Sequence, residues 1–234
     1  MTTPQQIRAI VVADGDVPEA EQLPAAMLSP DGLLVVAADG GLRKAERLGL
    51  QPTLVVGDGD SLSPEELDGL AARGIELQLH PADKEQSDTE LAVHEAVRRG
   101  ARSVVVLGGL GGVRFEHALA NLLLLAHPDL ADCDIRVVDD RTTIRVVGDG
   151  GTVEVTADAG RLISLLPLSQ RVAGVRTGGL RFALDNEALD QGPTRGLSNE
   201  ITGRDAWIRV GRGRLAVVQT RTSDDGMRPD GNRS

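Results

Sequence analysis

The sequence predicts an α/β protein in two parts. Residues 1–140 read as a Rossmann-like open, mostly parallel sheet with helices, residues 141–221 as an all-β sandwich or barrel, and 222–234 as a flexible tail. Three observations carry this. Short β-branched runs alternate with helix-period segments through the first part, as a parallel sheet with crossover helices requires. After Asp140 the helical period disappears, and runs of four to six residues recur between turns. At roughly 150 residues per domain, the length of 234 residues allows one large domain or two small ones.

In the first part, strands are expected at 7–12, 33–38, 54–56, 75–79, 104–107 and 135–138. Their continuous apolar character implies burial on both faces. Helices are expected at 41–48, 64–73, 89–99 and 116–126. Ser63, Pro64 and Glu66 supply an N-cap, a first-turn proline and a capping-box acid; Ser87 and Glu90 repeat the box, and Gly49, Gly74 and Gly100 close three helices. The second part is expected to hold strands at 142–147, 152–156, 162–166, 172–177, 206–210 and 215–219.

Composition narrows the function classes. The apolar runs at 33–38 and 104–107 fall far short of the ~20 residues of a membrane helix, and the first residues lack a basic-then-apolar signal, so a cytoplasmic protein with no membrane partner is expected. Cys133 is the single cysteine, which excludes an intrachain disulfide and argues against a cysteine-built zinc site. The formal charge of −10 disfavours a nucleic-acid backbone as partner. Phe115, Phe182 and Trp207 are the whole aromatic complement, which leaves almost no platform for stacked bases. The charge is also divided: residues 51–100 carry a net −7, whereas 141–220 carry +3, as expected of two regions with different tasks.

In an open α/β sheet, ligands collect outside the carboxyl ends of the strands. Four such turns carry polar groups: Asp39-Gly40-Gly41, Asp58-Gly59-Asp60-Ser61, Asp83-Lys84-Glu85-Gln86-Ser87-Asp88, and the glycine-rich stretch 108–117. Asp58 and Asp60, two apart about a glycine, can direct both carboxylates at one point, the oxygen-donor arrangement of a hard cation such as Mg²⁺. Ahead of a helix, the same acids also serve as solvated groups that complement its dipole. Residues 83–88, taken alone, read as a charged loop entering a capped helix. Beside Asp58 and Asp60, so many like charges repel unless something cationic lies among them. The glycine-rich stretch follows a strand and enters a helix, a context in which backbone N–H groups cradle phosphates, although no Walker A Gly-Lys-Ser/Thr follows. Arg114 and His117 add donors for phosphate oxygens. His80, His94 and His127 lack such company and read as surface residues.

Taken in order, these turns resemble the thiamine pyrophosphokinase family. The resembling blocks are 38–41, 57–61, 83–88 and 112–121, continuing in the second part through 163–168, 179–186 and Ser198-Asn199-Glu200. The resemblance implies transfer of the pyrophosphoryl group of ATP to thiamine, with Mg²⁺, in a homodimer whose active sites lie between subunits. By block matching, Asp58, Asp60, Asp83 and Asp88 would hold Mg²⁺ or orient the alcohol, with Asp88 as general base, and Arg114 and His117 would face the phosphates. The same matching assigns Asp39, Gly40, Gly41, Lys84, Gly112 and Asn121 to ATP and substrate binding, and Ser198 and Asn199 to the thiamine pyrimidine. Three positions depart: the family usually has Asp at Glu85 and Glu116, and Gly at Val113. An extra methylene is expected to turn a direct metal contact into one through water. Rival readings are a pyrophosphokinase for another small alcohol, such as a hydroxymethyl pterin, a non-catalytic nucleotide or thiamine sensor, and a β domain that is only an interaction module.

Overall fold

A computed structural model of the chain describes residues 7–30 and 32–222. The expected tail therefore lies, beyond Thr222, outside the described residues. The chain divides into two compact units, Met1–Asp140 and Arg141–Ser234.

In the first unit, strands β1 (Ile7–Val12), β2 (Leu33–Ala38), β3 (Leu54–Gly57), β4 (Glu76–Leu79), β5 (Ala101–Leu107) and β6 (Asp134–Val138) alternate with helices α1 (Ala25–Leu28), α2 (Gly41–Arg47), α3 (Pro64–Ala72), α4 (Asp88–Arg98) and α5 (Phe115–Leu124). The strands lie in the order β6-β5-β1-β2-β3-β4, and every neighbouring pair is parallel. Ile10, Val12 and Val35 pack with Ala45 and Leu48 of the α2 segment, and Ala37 and Val55 pack with Leu42 of α2 and Leu70 of α3. Side chains alternate along a strand, so the fully buried Val11 and Val36 face the other way. Helix α4 packs on β1, β2, β3 and β5 and buries Ala92, Val93 and Ala96. Cover on both faces is the reason β1, β2 and β3 read as largely apolar runs, whereas β4 at the sheet edge, Glu-Leu-Gln-Leu, buries none of its residues.

Caps set the helix starts. Ser63 Oγ accepts from the Glu66 N–H at 3.2 Å while the Glu66 carboxylate accepts from the Ser63 N–H at 2.8 Å, closing a capping box at α3. At α4 only half of the expected box forms: Ser87 Oγ accepts from the Glu90 N–H, but the Glu90 carboxylate accepts from Gln86 Nε2 instead. Helix α1, four residues long, is too short to show a period and was not anticipated.

The second unit holds β7 (Thr142–Val147), β8 (Thr152–Thr156), β9 (Leu162–Pro167), β10 (Arg171–Gly178), β11 (Glu187–Asp190), β12 (Asn199–Glu200), β13 (Asp205–Arg209) and β14 (Leu215–Thr220). They form two antiparallel sheets, β12-β9-β14-β7 and β11-β10-β13-β8. One core joins them, with Ile163, Leu165, Leu215 and Val217 from the first sheet against Val155, Val172, Val175 and Ile208 from the second. The sequence does not signal β11 or β12: the former reads Glu-Ala-Leu-Asp and the latter has two residues, so pairing with β10 and β9 makes them strands.

The histidine expectation needs correction. His94 and His127 are half-buried and stack edge to face, with ring centroids 5.1 Å apart, and His80 is half-buried beside Gln78. Among the described residues, no helix is long and apolar enough to cross a membrane.

Candidate active site

The first sheet reverses its winding at β1: strands β2 to β4 extend on one side and β5 and β6 on the other. Ligands of open α/β sheets bind at such a reversal, beyond the carboxyl ends of the strands. A cleft of about 330 Å³ lies there, its walls including Asp39, Asp88, Gly112, Arg114, His117 and Asn121. The first turns of α4 and α5 both border it, through Ser87 to Thr89 and through His117 and Ala118. Helix N-termini present unpaired N–H groups and positive dipole ends, which suits an anionic ligand.

Acids gather at one side. Asp39, Asp58 and Asp60 each offer a carboxylate oxygen within 4.8 Å of the others. Asp39 sits at φ +45°, a left-handed conformation uncommon for a residue with a side chain. Its Oδ2 accepts from the Ser61 hydroxyl, while its Oδ1 is buried without a hydrogen-bond partner. Burial raises the Asp39 carboxyl above its ordinary range; hydrogen bonds from Ser61 and Gly40 oppose this, and the charges of Asp88 and Asp58 add to it. Asp58 is held below its ordinary range chiefly by the Asp60 N–H, which donates to its Oδ1 at 3.1 Å. An orphaned buried oxygen beside two further carboxylates is an all-oxygen donor set, and it fits a hard divalent cation.

The structure distributes the other predicted acids differently. Asp83 is exposed and stands outside this trio. Asp88 Oδ1 ion-pairs with Lys84 Nζ at 2.8 Å, a bond that raises the Lys84 pKa. Gly40 and Gly41 are buried beneath the loop instead of lining the cleft. A Cβ on Gly41 would stand 1.9 Å from the Val12 carbonyl oxygen, so this glycine lets α2 start directly against β1.

Across the cleft, the glycine-rich turn carries consecutive positive φ values at Gly111 (+74°) and Gly112 (+81°). Buried Asn121 donates from Nδ2 to the Gly109 carbonyl at 2.9 Å, tying the turn to α5. Arg114 borders the cleft and donates from Nε to Glu116 at 2.7 Å, which holds the Glu116 carboxyl below its ordinary range. Val113 is fully exposed, so its side chain crowds nothing in the turn.

In the second unit, Ser198 adopts φ +56° and its N–H donates to Ser164 Oγ at 3.1 Å. Asn199 is buried and bonded to backbone: Oδ1 accepts from the Phe182 and Glu200 N–H groups, and Nδ2 donates to the Phe182 carbonyl at 2.7 Å. It ties the 179–186 loop to β12.

Sequence reading missed the turn after β1. Asp14 and Gly15 line the cleft, and Lys44 of α2 reaches Asp14 Oδ1 at 3.1 Å. The signal was present: Asp14-Gly15-Asp16 repeats the acid-glycine-acid pattern of Asp58-Gly59-Asp60 and also follows a strand.

Two family models match the chain: "Thiamin pyrophosphokinase, catalytic domain" over 28–138 and "Thiamin pyrophosphokinase, vitamin B1 binding domain" over 151–215. Thiamine pyrophosphokinase of Bacillus subtilis (strain 168) is 25% identical over 187 residues, covering 80% of this chain and 87% of that one. The crystal structure of thiamin pyrophosphokinase from Geobacillus thermodenitrificans superposes with a TM-score of 0.78 at 28% identity, over 93% of this chain and 99% of that one. Thiamin pyrophosphokinase from Candida albicans, at 14% identity and a TM-score of 0.73 over 92% of this chain and 90% of that one, shares the fold.

Proposed function

The chain belongs to the thiamin pyrophosphokinase family, and on that premise we propose that it transfers the pyrophosphoryl group of ATP to the primary alcohol of thiamine, giving thiamine diphosphate and AMP. The observation that carries this reading is the convergence of Asp39, Asp58 and Asp60 near a glycine-lined cleft at the winding reversal. In the reaction, the thiamine hydroxyl oxygen attacks the β-phosphorus, the bond from that phosphorus to the bridging oxygen of the α-phosphate breaks, and AMP departs. Such a transfer depends on positioning and charge neutralisation more than on covalent help.

Each residue has an assigned part. Asp39, Asp58 and Asp60 would hold Mg²⁺, which when bound neutralises the polyphosphate charge. Asp88, oriented by Lys84, takes the hydroxyl proton. Lys84 retains donors beyond the one on Asp88, and it and exposed Asp83 stand at the same loop to meet phosphate or outer-sphere water. Arg114 and His117 bind phosphate oxygens, Arg114 by exchanging Glu116 for them. Ser198 meets the thiamine pyrimidine, and Asn199 acts by fixing the backbone that presents it.

We read the first unit as Rossmann-like and the second as a β-sandwich, supported by the winding reversal and the shared two-sheet core. A homodimer is part of the proposal. Phe115, Leu119 and Leu123 are exposed at four-residue spacing along one stripe of α5, a surface suited to a second copy. The proposal places this ATP-consuming reaction in the cytoplasm.

Incubation with thiamine, ATP and Mg²⁺, followed by separation of the products, tests the reading. Equal amounts of AMP and thiamine diphosphate are expected. ADP with thiamine monophosphate would replace it with a simple kinase, and no phosphorylated thiamine would refute the enzyme.

A further inference from the structure

The chain has two lysines against twenty-three arginines: Lys44 on α2, bonded to the turn after β1, and Lys84 in the loop before α4, both near the proposed site. They are used differently. Lys44 Nζ donates to the Asp14 carbonyl, donates to the Gly15 carbonyl at 2.6 Å, and pairs with Asp14 Oδ1 at 3.1 Å. An ammonium group has three N–H donors, so all three are committed to the turn after β1 and none remains for a phosphate.

That turn is fastened in turn to the glycine-rich one. The Ala13 N–H donates to the Leu107 carbonyl at 2.8 Å, and the Gly15 N–H donates to the Gly108 carbonyl at 2.9 Å. The contact is backbone to backbone, since a Cβ on Gly15 would stand 2.3 Å from the Gly108 oxygen. Asp16 then reaches across 96 positions of sequence to accept the Gly112 N–H at 2.9 Å on Oδ2. Gly112 lines the cleft, whereas Asp16 lines a neighbouring hollow with Val17, Pro18 and Asp140. The carboxylate therefore grips the glycine-rich turn from behind and leaves the cleft side open.

We propose that Lys44, Asp14, Gly15 and Asp16 form a brace through which α2 holds the glycine-rich turn in its phosphate-receiving shape, with Lys44 and Asp16 as positioning residues for ATP. The inference rests on reading this cleft as the ATP phosphate site. Gly111 and Gly112, both left-handed, have no side chains to lock their conformation, and an external hydrogen bond supplies what the turn lacks.

The test uses Asp16→Ala, Asp16→Asn and Lys44→Met, each measured for binding of a non-hydrolysable ATP analogue with Mg²⁺ and for hydrogen exchange of the Gly112 amide. Asp16→Ala and Lys44→Met should each weaken analogue binding by about tenfold or more, the scale on which small displacements of positioning groups act. Both should speed Gly112 exchange. Asp16→Asn keeps an acceptor oxygen and should restore both readouts close to the parent, and the Lys44→Met/Asp16→Ala pair should lose little more than the worse single change. Unchanged Gly112 exchange in Lys44→Met would overturn the brace, because that residue does not touch Gly112. Faster exchange with unchanged analogue binding would also overturn it. A parent protein that binds no analogue refutes the ATP reading itself, an outcome distinct from a parent that binds while its variants bind equally well.

Discussion

The strand ends of the first unit treat polar groups differently from the buried positions of the second. In the second unit, buried polar side chains are satisfied by backbone: Asn199 by Phe182 and Glu200, Gln219 by the Thr156 and Gly160 carbonyls, and Thr177 by the Leu184 N–H. In the first unit, Asp39 Oδ1 is buried without a partner, and like charges crowd it. A satisfied group holds a fold, and an unsatisfied one at a strand end marks where a ligand completes the structure. The first unit therefore gives up some stability at its strand ends for chemistry, while the second keeps its polar groups for architecture.

Substitutions that separate activity from stability test this contrast. The largest expected effect is at Asp58: Asp58→Asn should lower pyrophosphoryl transfer on the order of a thousandfold, the scale of charge-stabilising groups in enzyme sites, with little change in Tm. If activity and Tm fall together, the acidic side is structural and the contrast fails. Next in size, Leu165→Ala in the second unit should cost about 2–5 kcal/mol by denaturant unfolding, because Leu165 lies fully inside the shared core and its loss leaves a cavity.

A smaller effect belongs to the capping box. Ser63→Ala removes the oxygen that accepts the Glu66 N–H and should cost about 1 kcal/mol without altering the reaction, measured as the shift in denaturant midpoint at constant slope.

The smallest effect sharpens the contrast through pH. Glu66, at about 2 in the fold against 4.5 unperturbed, is lowered by Arg43 and the Ser63 N–H, so its stabilisation is fully present above pH 4.5 and is lost as pH falls toward about 2. Asp39 has the reverse sign: its raised pKa favours the folded state while it keeps its proton, and that advantage is lost as pH rises from 3.8 through its folded pKa. Unfolding free energy measured against pH should therefore gain a steeper rise above pH 3.8 in Asp39→Asn than in the parent. Coincident curves would mean that the Asp39 crowding carries no free energy.

Much of this was legible in the chain. Strands β1, β2 and β3 announce themselves because burial on both faces demands largely unbroken apolar runs, and Ser63-Pro64 and Ser87 mark helix starts by short-range hydrogen bonds that any local reading detects. The acids at 58 and 60 were visible as a pattern at a strand end. What the tertiary structure alone decided involves partners far apart in sequence. Asp39 comes beside Asp58 and Asp60, a juxtaposition that no spacing in the chain announces, because β2 and β3 are neighbours in the sheet and their following turns meet. Strands β11 and β12 exist by pairing, not by composition. Asn199 turns inward to backbone across 17 residues, and Asp16 reaches Gly112 across 96. Periodicity and capping act within a few residues and are written in the sequence. The direction of a carboxylate at a strand end depends on which loops the sheet order brings beside it, and only the assembled sheet sets that.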